Sequence, residues 1–108
     1  MPKYSKFMAE NMRSSAGHSS CRLLSEEQGC EGDCAAGISL YHETTFPEPM
    51  KHPFQEGFYV ISGNGEAKVG ADCFPISQDM AFIVPRNTEH TIRAEYGCSV
   101  RVFWFHCT

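Results

Sequence analysis

His52, Glu56 and His90 are the side chains of this sequence whose types and spacing suit metal chemistry. Successive side chains of a strand point to opposite faces. In an extended segment Met50, His52, Phe54, Glu56, Phe58 and Val60 share one face, so His52 and Glu56 point the same way. His90 lies beyond Pro85 on a later segment, with Ile92 two residues on. A sheet that folds back on itself brings the two segments together. Two imidazoles and a carboxylate then form a set competent for zinc with an open position, or for non-haem iron. The same residues also fit a blander arrangement: an exposed pair on an edge strand and a histidine satisfied in a core. His42 and His106 are single histidines in strand-like segments, each read as structural unless it faces a cavity. Trp104 shares parity with His106, Val102 and Val100, but alternation does not say which face is inward. Tyr59 has the opposite parity to Glu56 and is not chosen as an acid or base. Cys30-x3-Cys34 has no second cysteine pair to complete a four-ligand zinc site, and reads as an acidic surface loop with two thiols.

The elements that must position these residues are strands. From Gly37 onward the chain is a series of short apolar segments at close spacing, broken by turn residues: GISLYHETTF, FYVIS, Glu66–Val69, Cys73–Ile76, Met80–Val84, Glu89–Ala94 and Ser99–His106. Gly63-Asn64-Gly65 reads as a sharp hairpin turn, since Gly and Asn tolerate positive φ. Gly70-Ala71-Asp72 reads as a second turn. Many short strands separated by turns indicate a sandwich or a barrel. Residues 1–20 are polar and read as a flexible arm, with one helical turn around Lys6–Met12. Arg22–Leu24 reads as a short strand, and Glu26–Ala36 as an acidic loop.

A chain of 108 residues is expected to form one domain, here residues 21–108 behind the arm. A formal charge of -4, with scattered Lys and Arg, argues against a nucleic-acid surface. No segment approaches the roughly 20 apolar residues needed to cross a bilayer. The segment MPKYSKFMAENMRSS has no apolar core of the kind a secretory signal carries, so the expected location is cytoplasmic and most of the six cysteines are expected to be free thiols.

Two stretches carry a family resemblance. HPFQEGFYVISGNGEAKVG, with His52-x3-Glu56-x6-Gly63, resembles the first motif of the cupin superfamily, G-x5-H-x-H-x(3,4)-E-x6-G. DMAFIVPRNTEH, with Pro85-x4-His90, resembles the second, G-x5-P-x-G-x2-H-x3-N. The fifteen residues between Gly63 and Asp79 fit the short gap between motifs in small bacterial cupins, and the resemblance spans residues 37–106. Met50 stands where the family usually has its first histidine, and Thr44 at the opening glycine. Asp79 and Asn87 stand at the glycines of the second motif, and Ala94 at its terminal asparagine.

The resemblance implies an all-β fold, a small double-stranded β-helix (jelly-roll) barrel. It also implies one divalent metal ion (Fe, Mn, Ni or Zn) on His52, Glu56 and His90. Met50, Phe54, Phe58 and Phe82 are then expected to line the cavity, with Met50 as a weak ligand at most, because a thioether is a poor partner for hard ions. The implied function is that of a metal-dependent enzyme, of dioxygenase, isomerase or lyase type, acting on a small polar metabolite inside the barrel. The alternatives are a non-catalytic binding or sensing cupin, and a degenerate cupin with weak metal affinity. A homodimer is expected, with Ile61, Ala81 and Ile83 as outward apolar candidates.

Overall fold

A computed structural model describes residues 3–15 and 17–107. Nine strands follow in order: β1 (Arg13–Ser15), β2 (His18–Leu24), β3 (Ala35–Tyr41), β4 (Gln55–Ser62), β5 (Asn64–Val69), β6 (Asp72–Ser77), β7 (Ala81–Val84), β8 (His90–Ala94) and β9 (Val100–Cys107). They form two antiparallel sheets that face each other as a jelly roll. The larger has the order β1-β2-β3-β9-β4-β7 and the smaller β6-β5-β8. Among the described residues the only helical pieces are 3-10 turns at Ala9–Asn11 and Glu26–Gln28. No helix is long and apolar enough to cross a membrane.

Register aligns the inward rows. Along β4 the inward face runs Glu56, Phe58, Val60; along β9, its neighbour, the opposed residues are His106, Trp104 and Val102. The polar members lie at one end of these rows and the apolar members at the other. Val60, Ala67, Ala94, Val100 and Val102 are fully buried, and Ile76, Val84 and Ile92 nearly so. Burying each larger aliphatic side chain contributes about 1.5–3 kcal/mol. One end of the barrel is therefore a dry core and the other is free to carry a polar site.

Two local expectations change in the structure. Gly63 does not turn a hairpin, because β5 pairs with β6 and β8 and not with β4. The turn carries the chain from one sheet to the other: Gly63 takes φ 97°, and a Cβ there would lie 1.8 Å from the Ser99 carbonyl oxygen. Residues 13–15 and 18–20 of the expected arm are strand, pairing Arg13 with Ser20 and His18 with Tyr41. Ser5 Oγ donates to the Leu23 carbonyl, and the Arg101 guanidinium sits 4.7 Å from the Phe7 ring centre, so the preceding segment also packs on the barrel. Asp79 and Asn87, the two positions standing for motif glycines, are the non-glycine residues with positive φ among those described, at 72° and 56°. Their short side chains tolerate this left-handed backbone better than most.

Candidate metal centre

Glu56 is the hub of the site. It occupies the inward face of β4, opposite His106 on β9 and Val84 on β7. His52 precedes β4 in a segment with no strand pairing of its own, yet the segment is pinned: the Asn87 amide donates to the His52 carbonyl, and Arg86 Nη1 to that of Pro53. Met50 and His90 exchange both backbone hydrogen bonds at 2.9 Å, which ties the same segment to the start of β8. Sequence distance between the two half-motifs is thus closed by backbone pairing.

Three imidazoles face the Glu56 carboxylate through Nε2. His106 lies 2.8 Å from Oε2, His90 3.0 Å from Oε1 and His52 3.5 Å from Oε1. Donor atoms of His52, Glu56 and His106 all lie within 4.8 Å of one another. His90 Nδ1 faces the Thr88 carbonyl, an acceptor, at 3.4 Å. In the tautomer that donates there, Nε2 is left with a lone pair facing a carboxylate oxygen, an arrangement that a cation between them resolves. Consistently, Glu56 Oε1 is buried and receives no hydrogen bond of sound geometry despite two nearby nitrogens. Nitrogen and carboxylate donors converging on an orphaned oxygen fit a divalent transition metal.

The electrostatics follow the geometry. Burial alone would raise the Glu56 pKa, but the neighbouring His106 and His90 imidazoles bring it down to about 2. Burial lowers that of His52, with Glu56 opposing and the other two histidines reinforcing. Burial, then the Glu56 charge, drives the Tyr41 phenol well above its usual range, so it stays protonated.

A prediction arises here for the metal-free protein. Glu56 stabilises the fold fully above its unfolded pKa near 4.5, and this contribution is lost as pH falls towards 2. Neutral His52 opposes folding increasingly as pH falls below 6.5, where the unfolded chain takes up a proton first. Both act in one direction. The melting temperature should drop from pH 7 to pH 2, with Glu56 responsible for about 3 kcal/mol. Glu56→Gln should flatten the profile below pH 4.5; an unchanged slope in that variant would refute the assignment.

The site opens on a cavity of about 230 Å³. Met50, His52, Glu56, Phe58, His90, Trp104 and His106 form part of its lining. The rest of the lining is mostly polar: Ser15, His18, Ser20, Arg22, Ser39 and Tyr41. Of the expected lining residues, Met50 and Phe58 are on the wall. Phe54 stacks on His52 at 5.0 Å and contacts His106 at 4.2 Å, bracing two imidazoles beside an adjoining groove. Phe82 lies behind Phe58, ring on ring at 4.9 Å. This polar part comes mostly from β1 and β2, where the sequence shows only serines and isolated charges. His106 shares parity with Val100, Val102 and Trp104; that pattern marked a face, and the burial of the three identifies it as inward.

The profile of the family described as "Cupin domain" matches residues 39–106, more than half of the chain. The chain belongs to the cupin family. Solved cupin structures superpose on it closely. The plu4264 protein from Photorhabdus luminescens aligns with a TM-score of 0.80 at 20% identity, covering 95% of this chain and 85% of that one. The Cnp3 cupin domain of Schizosaccharomyces pombe gives 0.74 at 24%, covering 84% of this cupin but only 61% of the other chain. Ectoine synthase from P. lautus gives 0.72 at 22%, covering 90% and 69%. No curated protein sequence matches significantly. At these identities the structural likeness speaks for the fold.

Proposed function

We propose that this cupin binds one divalent metal ion and acts as a metal-dependent enzyme on a small polar metabolite inside the barrel. The observation that carries the reading is the convergence of three imidazoles on a buried carboxylate with one unsatisfied oxygen, at the wall of a cavity. His52, Glu56 and His106 would hold the ion, with His90 as the further donor. When bound, the ion supplies Lewis acidity that stabilises negative charge on a substrate oxygen, as oxygenase, isomerase and lyase chemistries require. The chain's own residues do the rest. Phe54 and the Thr88 carbonyl orient imidazoles, and the Tyr41 phenol remains a hydrogen-bond donor. Phe58 and Trp104 exclude water from part of the wall. Two of the superposing structures are enzymes by name, ectoine synthase and the polyketide cyclase RemF of Streptomyces resistomycificus. The test is elemental analysis of untagged protein purified without added metal. About one equivalent per chain, removable by a chelator with a fall in melting temperature, is expected; an empty site that takes up no metal would leave a degenerate cupin.

The same reading includes a homodimer. On the outer face of the large sheet, Ile83 on β7 and Phe105 on β9 both lie opposite Gly57 on β4, whose missing side chain leaves room for the Phe105 ring. Ile83, Tyr59 and Phe105 are 50%, 41% and 39% exposed, an apolar patch that a second copy would cover. Light scattering at micromolar concentration should give a dimer mass, and Ile83→Glu should give a monomer. A monomeric wild type would remove this claim.

A further inference from the structure

Arg22 is an exposed cation with a built platform and no ion pair among the described residues, although Glu26 and Asp33 line the adjoining groove with it. It lies on β2 opposite Gly37 on β3, and Gly37 lies opposite Trp104 on β9. Gly37 has no side chain to intervene; a Cβ there would lie 2.6 Å from Cζ2 of Trp104. The indole therefore spreads over β3, and the Arg22 guanidinium sits over it at 5.6 Å from the ring centre. Stacking on an aromatic face holds the guanidinium while leaving its N–H edges free. Among the described residues every ion pair involves Glu56 or Glu66, and Arg22 is in none. It lines the same cavity as the candidate metal centre, on the sheet that also carries Glu56 and His106, beside Ser20 and Ser39, whose hydroxyls are hydrogen-bonded to each other at 2.9 Å.

The cavity's charge balance points to what Arg22 meets. Glu56 is the one carboxylate on the wall and Arg22 the one permanent cation. A divalent ion would leave the cavity lining with a net charge of about two positive, and such an excess favours an anionic ligand. We propose that Arg22, on its Trp104 platform, is the carboxylate-recognising subsite of this cavity, so that the ligand is a small hydroxy- or keto-carboxylic acid. One carboxylate pairs with the guanidinium through parallel N–H···O bonds, the geometry for which the fork is suited. The oxygen-bearing other end lies towards His52, Glu56 and His106. This inference rests on the metal-binding reading for that second end only; the Arg22 half stands on its own geometry. Ser20 and Ser39 add hydroxyls on the same wall.

The experiment is calorimetric titration of malate, its neutral diamide and inorganic phosphate into metal-loaded and metal-free protein. Wild type, Arg22→Gln and Arg22→Lys are compared, with metal content and melting temperature measured on the same samples. Malate should bind wild type, and the diamide should bind much more weakly. Arg22→Gln should weaken malate by about 10- to 100-fold, the usual worth of a charged hydrogen-bonded pair. Arg22→Lys should fall between, since it keeps the charge but loses the fork, and metal content should be unchanged in both variants. If wild type holds no metal, the metal reading fails by itself, and Arg22-dependent binding of malate to the metal-free protein still supports the subsite. Equal affinity for the diamide, tighter binding of phosphate than of malate, undiminished malate binding in a folded Arg22→Gln, or no malate binding to either form of wild type would each overturn the proposal.

Discussion

Glu56→Ala is expected to leave this cupin without bound metal. Glu56 is the one anionic donor in the cluster, and each of the three imidazoles is directed at it, so its removal takes away both the charge and the point of convergence. Glu56→Gln retains the shape and one neutral oxygen, and should weaken binding without removing the cavity. His52→Ala and His106→Ala each break the compact set whose donors lie within 4.8 Å, and should lose stoichiometric metal. His90→Ala is the informative comparison. The sequence motif places His90 among the ligands, whereas the tightest cluster contains His106 in its stead. Loss of metal in both His90→Ala and His106→Ala would make the site a four-donor one; loss in only one of them would decide between the two sets. Met50→His should tighten binding if position 50 lies beside the ion, as its place on the cavity wall favours. Elemental analysis with chelator competition reads all of these. Full metal content in every alanine variant would rule out the site.

Parts of this arrangement were legible because they follow from local rules. Period-two alternation placed Glu56, Phe58 and Val60 on one face, and all three are buried. Asp79 and Asn87, standing for glycines in the second motif, do adopt left-handed backbone. What was not legible depends on which strand meets which. Gly63-Asn64-Gly65 carries the composition of a hairpin turn, but turn composition reports only that φ is positive, not whether the next strand pairs back or crosses to another sheet. His106 was ambiguous for a related reason: alternation defines two faces, and only pairing with β4 brings one of them to Glu56. Arg22 was legible as a strand residue but not as part of the cavity. Its role depends on a row of β2, β3 and β9 in which an absent side chain at Gly37 is as important as the residues on either side.

The crossing at Gly63 should also be the most sensitive backbone position in the fold. Two penalties coincide there. Its φ of 97° lies where an L side chain is strained, and a Cβ would sit 1.8 Å from the Ser99 carbonyl oxygen and 3.0 Å from the Val100 Cα. The obstruction is backbone, so no rotamer change relieves it. Movement of β9 away from Gly63 would disturb Val100 and Val102, both fully buried, and the pairing of β9 with β4 that positions His106. Gly29 separates the two penalties. It has a similar φ of 102° at the end of the Glu26–Gln28 turn but nothing within 4 Å of its Cβ position. Gly29→Ala should therefore cost only the backbone strain, about 1–3 kcal/mol. Gly63→Ala adds a backbone collision and should cost about 4 kcal/mol or more, a large share of the 5–15 kcal/mol typical of a whole domain. Denaturant unfolding monitored through Trp104 measures both. Equal unfolding midpoints for the two variants would mean that β9 yields at Ser99 without cost, and that the crossing does not fix the register that brings His106 to Glu56.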